Sequence, residues 1–368
     1  MNIVCDKTLL SAAIDGVSKA VTMRSSIPVL EGILLKAEGF QLTLTGYDLE
    51  MGIVTTIEAN IKEPGEIVLN AKLLSSMISR MPAGQISIVA ADNGKTTIQS
   101  GVAQFEIQSM PATDFPDLPN TGAEQTLTIK TGVLRDMIDR TLYAVSQDEK
   151  KPAHTGELFE IELDKLTIVA LDGYRLAIVE RPITAVKDIR IIVPSKTMTE
   201  VSHLLANDDE EDVHISANRR YVVFTTAGYT IMSRLIEGEF LNYRNVIPAG
   251  SRTRATIDTK DFISTIERAS LIITERLKNP LRISFTEGKV VVRCQTNLGR
   301  VVDEFSAACE GDEVEIGFNN RYLLDALRNA RTEQVRMEIS GPLSPVKVLP
   351  VEGNDFLYLV LPVRFKND

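Results

Sequence analysis

The sequence predicts an α+β chain of three similar domains, each with two helices packed on antiparallel sheets. Two observations predict it. Pairs of amphipathic helix patterns recur three times at near-constant spacing, and period-two strand patterns with tight turns fill the intervals between them. The length agrees: 368 residues divide into three parts of about 120, each long enough to hold its own core. The predicted bounds are 1–122, 123–248 and 249–368.

The first helix of each part carries an apolar stripe at i, i+3/4, i+7/8, the signature of one buried face. It runs through Leu9, Leu10, Ala13, Ile14, Val17 and Val21, then Val133, Leu134, Met137, Ile138, Leu142 and Val145, then Phe262, Ile263, Ile266, Ala269 and Ile273. Val133 lies 124 residues after Leu9, and Phe262 lies 129 after Val133. The second helices are predicted over Ala71–Met81 (Leu73, Leu74, Met77, Ile78, Met81), Ser195–Leu205 (Met198, Val201, Leu204, Leu205) and Asn320–Ala330 (Tyr322, Leu323, Leu324, Leu327, Ala330). Strands alternate between them. Gly32–Thr45 is one run, Gln85–Gln108 turns at Asp92-Asn93-Gly94, Leu158–Val169 at Asp164-Lys165, and Leu281–Ser306 at Glu287-Gly288. Val213–Ser233 reads the same way. Near the middle, Leu166–Ala170 runs into Leu171-Asp-Gly-Tyr-Arg-Leu-Ala-Ile178, where Asp172-Gly173 reads as a tight turn between two strands.

Trp is absent and aromatics make up 5%, so the cores are aliphatic. No run of 18 apolar residues suggests a transmembrane helix. Cys5, Cys294 and Cys309 form no close-spaced metal or redox pair, which suits reduced thiols in a cytoplasmic protein. His154, His203 and His214 fall in no metal-binding spacing, and no nucleotide-binding or nucleophile motif occurs. The expectation is a non-enzyme with no cofactor and no metal.

The formal charge of −10 counts against a simple DNA-binding module. Its distribution does not. The second helices carry Lys72, Arg80, Lys196, Arg321, Arg328 and Arg331 against only Glu200 and Asp325, while acid gathers in loops such as 208–212. Lys72, Lys196 and Arg321 stand near helix N-termini, where the dipole disfavours cations. That placement points to a positive helical surface on an acidic body.

Several stretches, in order along the whole chain, carry a family resemblance. They are Ser26-Ile-Pro-Val-Leu30, Leu44-Thr-Gly-Tyr-Asp-Leu-Glu50, Pro111-Ala-Thr-Asp-Phe-Pro-Asp-Leu118, Leu171-Asp-Gly-Tyr-Arg-Leu-Ala177, Ile191-Ile-Val-Pro194, Gly238-Glu-Phe-Leu-Asn-Tyr-Arg-Asn-Val-Ile-Pro248 and Leu359-Val-Leu-Pro-Val-Arg-Phe365. Together they resemble the bacterial DNA polymerase III beta subunit, the sliding clamp. The resemblance implies the DNA clamp fold, closed by two copies into a head-to-tail ring with helices inside. It implies a processivity factor for the replicative DNA polymerase, holding double-stranded DNA without reading its sequence. The implied DNA contacts are Arg24, Arg80, Gln147 and Lys196, with Lys72 added by the charge argument.

The resemblance further implies a hydrophobic pocket for short peptide motifs of the polymerase catalytic subunit, the clamp loader and other partners. Its positions here are His154, Leu171, Gly173, Tyr174, Arg175, Leu176, Leu241, Val246, Leu343, Leu359, Leu361, Pro362, Val363 and Arg364, read as exposed aliphatics on a rigid turn and a C-terminal strand. For Leu359 and Leu361, core and pocket wall are both open. His154, Leu171, Leu241 and Asn245 depart from residues common in the family (Leu, Thr, Pro and Arg). The implied homodimer contact joins Phe105 to Leu271 and Ile272 of the other copy. No membrane partner is expected. The alternative reading is a three-domain peptide-binding scaffold that encircles nothing.

Overall fold

In a computed structural model, residues 1–365 are described apart from 23, 123, 206–207 and 274–279. Six helices occur among them: α1 (Lys7–Ser18), α2 (Ala71–Arg80), α3 (Thr131–Thr141), α4 (Ser195–Leu204), α5 (Thr259–Ser270) and α6 (Asn320–Ala330). All six match a predicted helix. Side chains set several starts. The carboxylate of Asp6 accepts from the amides of Thr8 (2.7 Å) and Leu9 (3.2 Å), Asn70 from Leu73 (3.0 Å), Asp258 from Asp261 (2.9 Å) and Asn319 from Arg321 (3.0 Å). The ends fall earlier than the apolar stripes suggest. Val21, Leu142, Val145 and Ile273 lie beyond their helices. Leu9 and Leu73, read as buried, are 47% and 45% exposed, because each sits on the outer flank of its stripe.

The chain forms two compact units. The first comprises Met1–Gly132 and Thr199–Leu235, the second Val133–Met198 and Ile236–Asp368. The middle third of the sequence is thus divided between them.

Within the first unit, a five-stranded sheet runs from Asn60–Glu63 through Asn2–Asp6, Gln85–Ala90 and Lys95–Ser100 to Ala103–Gln108 at its edge. A nine-stranded sheet carries the hairpin Gln41–Tyr47/Met51–Glu58, which pairs with Tyr229–Arg234 in the register Ile53↔Ile231. Every strand pair is antiparallel. Gly46 lets this hairpin approach α1, since a Cβ there would lie 2.1 Å from the Val17 carbonyl oxygen. Val29, Leu30, Tyr47, Val68, Phe115 and Met232 form a buried cluster at the join.

The second unit repeats the plan. Its nine-stranded sheet contains Lys165–Leu171 and Arg175–Pro182, and the latter pairs with Phe356–Val360 in the register Ala177↔Tyr358. A four-stranded sheet runs from Val314–Phe318 through Leu281–Thr286 and Lys289–Thr296 to Gly299–Ser306 at its edge. The sheet interiors are aliphatic, with Ile168, Val169, Ile283, Val292 and Val348 fully buried. No helix among the described residues is long and apolar enough to cross a membrane.

One buried acid stands out. Glu157, on strand Gly156–Ile161, has no exposed surface, and Thr141 at the end of α3 donates to its Oε1 at 2.6 Å. Its other oxygen has no partner. Burial pushes the carboxyl up to about 8; the Thr141 bond pulls the other way and Asp139 adds to the rise. The folded pKa exceeds the unfolded value, so the stabilisation is complete below about pH 4.5 and declines as pH rises toward 8. The limiting slope is about 1.4 kcal/mol per pH unit. Urea titrations between pH 5 and 9 should show this decline, and Glu157→Gln should flatten it and be the more stable protein at pH 9.

Candidate functional site

All fourteen predicted pocket residues lie in the second unit. The turn Asp172-Gly173-Tyr174 closes the hairpin. Gly173 adopts φ +89°, and one Asp172 oxygen accepts from the amides of Tyr174 (2.8 Å) and Arg175 (3.0 Å). The turn is therefore rigid. Arg175 is its second anchor. Its Nε donates to Asp172 at 3.0 Å and its Nη1 to Asp325 of α6 at 2.5 Å. The guanidinium lies between the rings of Tyr143 (5.3 Å) and Tyr322 (4.8 Å). Tyr322 in turn stacks on Tyr174 at 5.7 Å and 20°. Tyr174 remains 60% exposed, so the aromatic pair offers an apolar face to solvent.

Beneath the turn, Leu171, Leu176 and Leu359 are buried with Leu158, Ile178, Phe240 and Tyr243 in one cluster. For Leu171 and Leu176 this corrects the reading as exposed aliphatics; Leu359, open between core and pocket wall in the sequence, is core. The pairing of Leu176 with Leu359 covers them, and they form the floor. The C-terminal segment then leaves the strand. The Leu361 amide donates to the Tyr174 carbonyl at 2.9 Å and the Val363 amide to Gly317 at 2.8 Å. Leu361 and Pro362 are half-buried, while Val363 and Arg364 are exposed.

Phe240 and Tyr243 insert from segment 236–248, whose outward residues Leu241 and Val246 are also exposed. Glu160 fixes this segment, accepting from Tyr243 Oη at 2.6 Å and from Arg244 Nη2 at 2.8 Å. Burial opposes the Glu160 charge, but those two bonds and the charges of Arg244 and Arg190 outweigh it and hold the carboxyl below its ordinary value. His154 meets Phe240 edge-on at 5.6 Å. Burial, then the charge of Lys151, lowers its pKa and favours the neutral imidazole. Leu343, 61% exposed, occupies the turn between Gln334–Ile339 and Val346–Pro350. Tyr143, Tyr322, Asp325 and Asp172 are site residues that the sequence does not mark as such. Tyr322 had been counted as core on its helical spacing alone.

The predicted DNA contacts are all exposed. In the first unit, Lys72, Ser76, Ser79 and Arg80 share the outer face of α2, since Ala71, Leu74, Met77 and Ile78 take the inner one. That face carries two cations and no acid. Arg24 follows α1 at residue 24. In the second unit, Lys196 is the second residue of α4, and Gln147 lies on the loop after Ala144. Two cations of the charge argument are engaged instead: Arg328 pairs with Glu267 at 2.7 Å, and Arg331 with Asp139 at 3.1 Å. Phe105, on the edge strand of the five-stranded sheet, is 39% exposed. Leu271, just past α5, is 82% exposed and Ile272 is half-buried. Among the described residues, no cluster of His, Cys, Asp or Glu is arranged to hold a metal ion.

A thrice-repeated α+β unit with sheets joined edge to edge defines the class of DNA clamps. Three family models match in succession. They are the N-terminal (residues 1–119), central (128–242) and C-terminal (244–364) domains of the DNA polymerase III beta subunit. The chain is 31% identical to the beta sliding clamp of Halalkalibacterium halodurans, over 99% of this chain and 100% of that one. A putative DNA polymerase III beta subunit of Eubacterium rectale superposes with a TM-score of 0.96 at 31% identity, covering 99% of both chains. A sliding clamp of Pseudomonas aeruginosa bound to griselimycin gives 0.94 at 30%, covering 99% of this chain and 100% of that one. The chain belongs to the DNA polymerase III beta subunit family, the beta sliding clamps of DNA replication.

Proposed function

We propose that two copies close head to tail into a ring around duplex DNA and tether the replicative polymerase to it. The ring is built of domains 1–122, 123–248 and 249–368. It is cytoplasmic and non-catalytic. One observation carries the reading. Each internal join of the fold is an antiparallel strand pair, and the remaining equivalents of the joining strands, Ala103–Gln108 and Gly299–Ser306, are free edges. An unpaired edge is a template for another strand. Phe105, Leu271 and Ile272 supply the apolar contact. Topology rather than affinity then holds the DNA. The test loads the chain onto a nicked circular plasmid with a clamp loader. The complex should survive gel filtration and fall apart when the plasmid is linearised. Equal retention on linear DNA would defeat encirclement.

Arg24, Lys72, Arg80, Gln147 and Lys196 face the phosphates in this reading. Such contacts release counterions, about 0.9 in log K per log salt for each phosphate neutralised. Lys72→Glu with Arg80→Glu should therefore reduce the salt slope of DNA binding by about two. Fluorescence anisotropy at 50–200 mM salt measures it, and an unchanged slope would remove α2 from the DNA face.

The surface around Tyr174, Leu241, Val246, Leu343, Leu361, Pro362, Val363 and Arg364, with His154 beside it, takes an extended apolar peptide from the polymerase catalytic subunit, the clamp loader or another partner. The rigid turn, the buried floor of Leu171, Leu176 and Leu359 and the exposed walls support this role.

A further inference from the structure

We propose that the cavity beneath segment 112–118 of the first unit takes a short peptide that is both basic and apolar. One Arg or Lys side chain sits between Glu66 and Asp117, and its apolar neighbours lie on Leu34 and Phe115. The sheet contributes Leu34, Thr45 and Glu66 to the cavity walls, and the segment contributes Phe115, Asp117 and Leu118.

The cavity exists because the two units fill one frame differently. Leu34 pairs with Thr45 and Val68 just as Leu158, 124 residues on, pairs with Val169 and Ile192. A phenylalanine covers each frame: Phe115 and Phe240, 125 residues apart, are buried in corresponding clusters. In the second unit a clamp closes the frame. Tyr243 donates to Glu160 at 2.6 Å, and Arg190 pairs with the same carboxylate at 3.1 Å. By the same spacings, the first unit places Leu118, Lys36 and Glu66 at these three positions. That clamp cannot form there. Lys36 pairs with Glu38 at 3.4 Å although Glu66 faces it across the strands, and the shorter Leu118 has no hydroxyl to anchor. A cavity of about 430 Å³ remains.

Its chemistry selects a cation with apolar flanks. The volume falls within the range of about 300–1,000 Å³ usual for ligand sites. Leu34, Phe115 and Leu118 give it an apolar lining. Glu66 and Asp117 are exposed and make no ion pair among the described residues. Thr45 is only 7% exposed, yet its hydroxyl makes no hydrogen bond among the described residues. A buried polar group without a partner is costly, and a ligand that reaches it removes the cost. Two carboxylates and a hydroxyl thus offer acceptors, while the cation at hand is engaged elsewhere. A guanidinium or an ammonium satisfies them. The sheet edge favours a peptide as the carrier. Strand Gly65–Asn70 is met on its outer side only by Met110 at Val68 and Pro111 at Ile67. Glu66 therefore has no strand partner there, and an extended backbone can pair beside it.

The probe is the peptide Gly-Leu-Arg-Leu-Gly, capped at both ends and added to the intact protein labelled at its leucine methyls, with Gly-Leu-Glu-Leu-Gly as control. The Leu34 and Leu118 signals should shift and saturate with the arginine peptide, and the glutamate peptide should bind about tenfold more weakly or worse. Glu66→Lys with Asp117→Lys should weaken the arginine peptide by about tenfold and reverse the preference. Leu118→Tyr, which copies Tyr243, should fill the cavity and abolish the Leu34 shift. Thr45→Val, which copies Val169, should weaken binding several-fold. Thermal melts report the folding of each variant, and the charge reversals at exposed positions carry the test if Leu118→Tyr fails to fold. Shifts at Leu241 and Leu343 alone would place the peptide on the surface of the second unit and overturn the proposal. So would a Leu34 shift that ignores both charge reversals, or no shift at millimolar peptide.

Discussion

Leu271→Ala combined with Ile272→Ala converts the dimer to monomers at nanomolar concentration. A leucine 82% exposed at the end of α5, beside a half-buried isoleucine, is costly for an isolated chain and sensible for one that covers them. Truncation to alanine removes about 1.5 kcal/mol of transfer free energy per side chain if the partner buries it. Two residues at two interfaces amount to about 6 kcal/mol, or roughly 10⁴-fold in the dissociation constant. Both side chains follow the helix rather than filling its buried face, so thermal stability of the monomer should barely change. Analytical ultracentrifugation with fluorescence detection reads the outcome. A double variant still dimeric at nanomolar concentration would remove this pair from the interface.

The second large effect is at Arg175. Its guanidinium serves two carboxylates and two tyrosine rings, and its side chain is only 12% exposed. Arg175→Ala leaves Asp172 and Asp325 facing each other without a cation, which costs about 3 kcal/mol at a mostly buried site. For a unit of this size that is a fall of about 8 °C in Tm. Arg175→Lys keeps the charge but loses the planar fork and the stacking, and should recover less than half. Because Asp172 and Arg175 brace the turn that presents Tyr174, the alanine variant should also fail to co-elute with the polymerase catalytic subunit. Tyr174→Ala separates the effects: binding should weaken with the melting temperature nearly unchanged, since that ring is mostly in solvent. An alanine variant melting within 2 °C of the parent would show that the paired charges contribute nothing net.

Much of this was legible in the residues alone. The helix pairs could be read because a buried face repeats every 3.6 residues whatever covers it. The hairpins at Asp172-Gly173, Asn93-Gly94 and Glu287-Gly288 could be read because few residues tolerate those turn conformations. The resemblance in order along the chain supplied the family. Periodicity gives the face of a side chain but not the depth of its cover. Leu176 and Leu359 look like Leu241 and Leu343 in sequence, yet the first two are buried because strands that place them 183 residues apart in the chain pair there. Likewise, charge counting ranked Arg328 with Lys72, and only packing placed Glu267 beside the former. Tyr322 passed for core until its ring was seen against Tyr174 and Arg175. By itself the sequence determined the repeat, the elements and the positive helices, all of which rest on local period and local turn chemistry. Only the tertiary structure decided which leucines are floor or wall, which cations pair with distant acids and which strands lie at sheet edges. Those depend on contacts between residues far apart in the chain, where no local rule reaches.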